Sequence, residues 1–311
     1  MRIIFAGTPE VALPTLQALT QSDHEVVGVL TRPPARRGRR AAPTPSPVAT
    51  WARERELKVL EAARPGQVAE ELAALGADLG VVVAYGAILR PEVLEIPTRG
   101  WLNLHFSDLP RWRGAAPAQW AIRAGDQHSA TCVFQLEAGL DTGPVYSRLP
   151  VELTGRETAG ELLERLAPVG AQQVVEVVDQ LAAGIAVATP QASEGLTTAP
   201  QLTKQDGYVS FAASADETDR QIRSVTPNPG AWTQLPSGQV LRLGAATPVE
   251  PDPELALAPG QVHADKHQVL VGCERGMLRL GQVAPAGKNW MEAPAWARGA
   301  RGITTMGGHR E

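Results

Sequence analysis

The chain has only two cysteines in 311 residues, Cys132 and Cys273, and they lie far apart. That excludes a disulfide framework and a cysteine-rich metal site. The six histidines form no Cys/His cluster, so no metal is expected. No apolar run is long enough to span a bilayer. No charged leader precedes the opening MRIIFAGTPE, which reads at once as strand, glycine turn and helix. Aromatic residues are scarce, at 5%, and the formal net charge is only -4. Bulk charge therefore does not advertise a nucleic-acid binder, although local charge can still do so. Together these absences lead us to expect a bacterial cytoplasmic protein in a reducing compartment.

What is present is an alternation of strands and helices. Residues 2–6 (RIIFA) form a short apolar run ending at Gly7. Thr8 suits a helix N-cap, with Pro9 at the first helical position. Residues 25–31 read as a second buried strand, and a helix is expected around residues 48–55. Residues 78–86 (DLGVVVAYG) are the strongest strand signal, followed by WLNLHF at residues 101–106. This pattern predicts an α/β fold with a doubly wound, mostly parallel, Rossmann-like sheet. Two further strands, at residues 130–137 and 143–153, flank the turn AGLDTG. Thr154 and Glu157 have capping-box spacing and are expected to open a long helix, bent at Pro168 and ended by Gly184.

The predicted domains are 1–188 and 207–311, joined by a polar, turn-rich linker at 189–206. Beyond it, a short helix (216–225) precedes short strand candidates at 231–235, 240–245, 260–264, 268–273 and 277–283. Their texture is that of a small β-barrel.

Within WLNLHF, Asn103 and His105 stand two residues apart, which on a strand places them on one face. Two polar groups in an apolar strand are costly unless paired or used. Asp141, between Gly139 and Gly143 in GLDTG, supplies a carboxylate. A carboxylate can orient an imidazole and stabilise its charged form, while an amide N–H can donate to an oxygen gaining negative charge. The set suits attack on a carbonyl. It contains no protein nucleophile, so direct group transfer is implied. FAGTPE lacks the second and third glycines of a dinucleotide fingerprint, which argues against an NAD-dependent oxidoreductase. Between Val26 and Arg53 there are six arginines and no acidic residue, five of them within residues 32–40. That loop begins at the carboxyl end of a strand, where ligands bind in such folds, so phosphate or RNA contact is expected.

FAGTPE, SPV, VVVAYGAIL, NLHFSDLPRWRGAAPAQWAI and GLDTG resemble, in order and spacing, the N-terminal domain of the methionyl-tRNA formyltransferase family. LTKQDGYVSF, IRSVTPNPGAWT and LGQVAPAGKNWM resemble its C-terminal domain. The resemblance implies an OB-like C-terminal barrel that touches tRNA. It also implies formyl transfer from 10-formyltetrahydrofolate to the α-amine of methionyl-initiator-tRNA, directly, through a tetrahedral intermediate, by a monomer with no metal and no NAD. Asn103, His105 and Asp141 match the family's catalytic set. Ser107, Asp108, Leu109 and Pro110 match its folate-contacting segment, with Tyr85 and Gly86 nearby. Arg36, Arg37, Arg39 and Arg40 match the basic loop that enters the tRNA acceptor end; Lys204 and Lys288 match basic positions of the C-terminal domain. Two departures stand out. Asp108 replaces the family's leucine, and Pro33-Pro34 replaces its Pro-Asp. An amino-sugar-nucleotide N-formyltransferase would share the donor and the catalytic set, but needs no arginine loop. A tRNA-binding module without catalysis would not need all three catalytic residues.

Overall fold

A computed structural model of the chain describes residues 1–36, 42–250, 255–300 and 302–308. It divides into two compact units. The first comprises residues 1–117, 128–152 and 163–200, and the second residues 118–127, 153–162 and 201–311.

The first unit is built on a seven-stranded sheet. Its strands are β1 (Arg2–Gly7), β2 (Glu25–Thr31), β5 (Val59–Glu61), β6 (Leu79–Val83), β7 (Trp101–His105), β8 (His128–Gln135) and β9 (Val145–Glu152). A separate two-stranded ribbon, β3 (Ala35–Arg36) with β4 (Pro43–Thr44), lies in the arginine-rich loop. The sheet order is β5-β2-β1-β6-β7-β8-β9. β5 to β7 run parallel, and β8 and β9 add on antiparallel. Ile3, Ile4, Phe5 and Ala6 of β1 and every residue of β6 are buried, as expected for parallel strands covered on both faces. The chain winds outward one way from β1 through β2 to β5, then returns to place β6 on its other side. That reversal opens a crevice at the carboxyl ends of β1 and β6. Across it the Thr8 hydroxyl donates to the Tyr85 carbonyl at 2.7 Å.

Thr8 is therefore a tie across the crevice rather than a helix cap. A single 3₁₀ turn (Glu10–Ala12) intervenes before the helix Leu13–Gln21. In the next helix, Pro47–Arg53, the Ser46 hydroxyl accepts the Ala49 N–H at 2.9 Å, a cap worth about 1 kcal/mol. The Thr154–Glu157 box forms, but ahead of the helix. The long helix, Ala159–Ala183, starts behind a second box in which Glu161 accepts from Thr158 N–H at 2.8 Å.

The second unit carries two four-stranded antiparallel sheets. One has the order β10 (Ala231–Gln234), β11 (Val240–Leu243), β16 (Gln282–Pro285), β17 (Met291–Glu292). The other has β12 (Ala246–Val249), β15 (Met277–Leu280), β14 (Val269–Gly272), β13 (Val262–Ala264). They enclose one core that includes Phe211, Ile222, Leu241, Val271, Leu278 and Val283. The sequence reads residues 277–283 as one strand; the chain instead turns a corner at Gly281 and passes from one sheet to the other. Gly281 N–H bonds the Ala245 carbonyl at 2.9 Å, and a Cβ there would lie 2.7 Å from that same oxygen. The matching corner at Gly244 and Ala245 joins β11 to β12, so two strand pairs each cross both sheets. Such corners fold two sheets around one interior, as in a barrel.

His263 and His267 have the four-residue spacing of a helical metal pair, but they fall on β13 and in the turn after it. Asp265 in that turn accepts the His267 and Gln268 N–H groups. Among the described residues no group of three His, Cys, Asp or Glu side chains could hold a metal ion. No described helix is long and apolar enough to cross a membrane.

Candidate active site

Asn103 and His105 share one face of β7, and the residues opposite them on β8 are Phe134 and Cys132. Leu102 and Leu104, on the other face, are buried. The His105 ring meets the Phe134 ring edge to face, with centroids 6.1 Å apart. Burial pushes the neighbouring Cys132 thiol up to about 11, so it supplies no thiolate at neutral pH. Asn103 is half-buried in the middle of the strand, two residues before His105 at its carboxyl end. Its amide has no hydrogen-bond partner among the described residues, so it is free to donate to a ligand oxygen.

Beyond β7 the chain turns back sharply. The Ser107 hydroxyl donates to the Arg111 carbonyl at 2.7 Å, fixing a loop that brings the Trp112 carbonyl to 2.9 Å from His105 Nε2. A carbonyl oxygen only accepts, so Nε2 carries the hydrogen, and the neutral ring has its lone pair on Nδ1. Nδ1 lies 3.9 Å from Asp141 Oδ2. His105 is buried, and that burial holds its pKa below the ordinary histidine value; the Asp141 carboxylate and the Trp112 carbonyl oppose the shift. The resting ring is thus neutral, with the Nδ1 lone pair on the side of Asp141.

Asp141 sits in the left-handed region, at φ +50°. Its Oδ2 accepts the Gly114 N–H at 2.7 Å. Gly114 has φ +128°, and a Cβ there would lie 2.6 Å from the Ala199 carbonyl oxygen, so only glycine can present this N–H. The scaffold extends into residues 189–199, which the sequence reads as linker. Thr197 accepts the Trp112 N–H through its hydroxyl at 2.9 Å and the Arg113 N–H through its carbonyl at 3.0 Å. The Ala199 N–H bonds the Arg113 carbonyl at 2.7 Å, and Thr189 pairs with Val145. Gln191 donates to the Asp141 and Gly143 carbonyls, both at 2.8 Å.

The formyl transferase family model matches residues 1–178, and the model of the formyl transferase C-terminal domain matches residues 201–301. This chain belongs to the formyl transferase family. It is 51% identical over 304 residues to the methionyl-tRNA formyltransferase of Thermobifida fusca, covering 97% of each chain. Its fold is similar to that of HypX from Aquifex aeolicus, solved in complex with tetrahydrofolic acid, with TM-score 0.68 and 18% identity. The match covers 97% of this chain and 48% of that one. It is also similar to the methionyl-tRNA formyltransferase from Clostridium thermocellum, with TM-score 0.58 and 16% identity over 79% of this chain and 93% of that one.

In this formyl transferase Asn103 shares a strand face with His105, and Asp141 lies 3.9 Å from the His105 ring. The side chains of the expected folate segment have structural duties. Ser107 is buried with its hydroxyl spent on Arg111, and Leu109 is buried against Ala130, Cys132 and Phe134. The Tyr85 ring is buried, its hydroxyl donates to the Ala62 carbonyl at 3.2 Å, and burial pushes its pKa up to about 12. Gly86 has φ +83° and open space where a side chain would stand. Asp108 is met by Arg148 of β9, which contacts it through Nε and, at 2.6 Å, through Nη2. A bidentate pair half-open to water stabilises by about 0.2–1 kcal/mol, so its effect is mainly on position and local charge.

Arg36 is exposed on β3, whereas Arg37, Arg39 and Arg40 lie outside the described residues. In the second unit the Lys204 ammonium sits 5.6 Å from the Trp232 ring centroid. Lys288, in the turn between β16 and β17, accepts from Arg242 through its carbonyl at 3.1 Å. Sequence reasoning did not single out Gln191, Arg113, Gly114 or Arg148. The run R-W-R-G offered a signal for two of them; Gln191 and Arg148 stand in ordinary polar surroundings.

Proposed function

We propose that this formyl transferase moves the formyl group of 10-formyltetrahydrofolate onto the α-amine of methionine esterified to initiator tRNA. The observation that carries the chemistry is the unpartnered Asn103 amide beside a neutral His105 whose free Nδ1 faces Asp141. The fit to a formyl donor rests on that amide, which can donate where the formyl oxygen gains charge. The bond from the methionyl nitrogen to the formyl carbon forms, and the bond from that carbon to the folate nitrogen breaks. His105 Nδ1 takes the proton released by the attacking amine and returns it to the departing nitrogen. Asp141 stabilises the imidazolium in between.

The Ser107, Asp108, Leu109 and Pro110 segment, with Tyr85 and Gly86, forms the donor contact in this reading. Because the Ser107 and Tyr85 hydroxyls are already bonded, the backbone does the contacting there. Arg36, Arg37, Arg39, Arg40, Lys204 and Lys288 meet tRNA phosphates, within a catalytic part at 1–188 to which residues 189–199 add scaffold, and a tRNA-contacting part at 207–311. The protein acts as a monomer in the bacterial cytoplasm. The whole-length likeness to a methionyl-tRNA formyltransferase supports the tRNA acceptor over an amino-sugar nucleotide.

Incubation with labelled formyl donor and either methionyl-tRNA or an amino-sugar nucleotide tests the assignment. Label should enter methionyl-tRNA; label entering only the sugar would sink it. Neutralising Arg37 and Arg39 should raise KM for charged tRNA and flatten its salt dependence, by about one unit of log–log slope per lost phosphate contact. Loss of folate binding alone would contradict the RNA role. For Arg148→Leu, the unpaired Asp108 carboxylate should raise KM for the anionic donor several-fold, and Asp108→Leu in the same chain should restore it. A double variant no better than the single would remove the charge argument.

A further inference from the structure

We propose that Gln191 is a positioning residue for formyl transfer, holding the Asp141 carboxylate against His105 by clamping the 141–143 turn to Arg113. The inference rests on the reading that His105 and Asp141 manage the proton. The clamp uses both ends of one amide. Gln191 Nε2 donates to the Asp141 and Gly143 carbonyls, both at 2.8 Å. Its Oε1 accepts from Arg113 Nε at 3.1 Å and from Arg113 Nη2 at 2.7 Å. The amide orientation is fixed by its partners, because carbonyls require the NH₂ end and a guanidinium requires the oxygen.

Three features make this more than ordinary loop packing. Asp141 holds a left-handed backbone, at φ +50°, which costs free energy and persists only when its surroundings enforce it. Gln191 bonds the carbonyl of that same residue and of the glycine two positions on. Arg113, at the other end of the clamp, is flanked by the two residues that touch the pair. The Trp112 carbonyl takes the His105 Nε2 hydrogen, and the Gly114 N–H holds Asp141 Oδ2. One amide therefore sets the Asp141 turn and the His105 loop at a fixed separation, and the 3.9 Å between Nδ1 and Oδ2 depends on it. Gln191 itself touches none of the groups that react.

The test is Gln191→Ala in the full-length protein. Turnover should fall about 10- to 100-fold, the size expected when a supporting hydrogen bond behind a catalytic group is lost. KM for donor and for methionyl-tRNA should stay within about twofold. The pKa of His105, read by NMR titration, should drop further, since the carboxylate opposing burial has moved away. Gln191→Ala added to Asp141→Asn should cost nothing more, because Gln191 acts through that carboxylate. Gln191→Glu keeps an acceptor for Arg113 but faces two carbonyls without a donor, so it should behave like Gln191→Ala. Arg113→Lys, which shortens the other end, should lower turnover in the same direction. Unchanged turnover in Gln191→Ala, full additivity with Asp141→Asn, or an unmoved His105 pKa would each overturn the proposal. An active His105→Ala enzyme would overturn the underlying reading instead.

Discussion

His105→Ala is expected to cut turnover by about 10²–10⁴-fold, the range for removing a positioned general base, with the fold retained. The base has one usable nitrogen. Nε2 is committed to the Trp112 carbonyl at 2.9 Å, which leaves Nδ1 to accept a proton. His105→Gln separates that chemistry from scaffolding, since its side-chain amide can still donate to the Trp112 carbonyl but cannot shuttle a proton. Both variants should be equally inactive, with His105→Gln the more stable in thermal unfolding. Burial lowers the His105 pKa, so the neutral, active form persists below the ordinary value of about 6.5. NMR titration of the free protein should give a midpoint below that value. A midpoint above it would mean a protonated resting state and would reverse the assigned role, and near-normal activity in His105→Gln would remove the residue from the mechanism.

The parts legible in the sequence are those governed by short-range periodicity. Alternation on β7 placed Asn103 and His105 on one face, because side chains on a strand repeat every two residues. Buried runs located β1, β2 and β6, because parallel strands covered on both faces are apolar throughout. The turn holding Asp141 was visible from its glycines. What stayed hidden depends on partners distant in sequence. Thr8 has cap chemistry, yet its hydroxyl serves Tyr85, 77 residues away. Gln191 lies in a polar, turn-rich stretch that composition assigns to a linker; its role emerges only once Arg113 and the Asp141 turn lie beside it. Asp108 stood out in the sequence only as a departure from the family's leucine; its partner Arg148 is 40 residues on, across two strands. Cross-strand register explains that pairing, since His105, Cys132 and Arg148 stand opposite one another on β7, β8 and β9. The corner at Gly281 was missed because a strand that changes sheets keeps one continuous β pattern in sequence.

Asp141 provides a graded test of the same site. Its Oδ2 receives the Gly114 N–H at 2.7 Å and faces His105 Nδ1 at 3.9 Å, so one oxygen serves both neighbours. In Asp141→Asn the side-chain oxygen should take that place, since an NH₂ there would confront the Gly114 donor. Geometry is kept, the charge is lost, and the imidazolium formed during transfer loses its counter-ion. Turnover should fall about 10²-fold through that electrostatic loss, with KM for both substrates little changed. Asparagine also tolerates φ +50°, so the unfolding temperature should hold. Asp141→Ala removes the charge, leaves the Gly114 N–H unbonded and puts a Cβ with no compensating side-chain bond into left-handed backbone. It should cost about tenfold more in turnover and about 1–3 kcal/mol in stability. The His105 pKa should fall in both variants, because the charge that counteracts burial is gone in each. Equal activity of Asp141→Asn and the parent protein would show that the carboxylate's charge is not used. An Asp141→Asn enzyme as impaired as Asp141→Ala would show that charge alone matters and that the Gly114 contact contributes nothing to transfer.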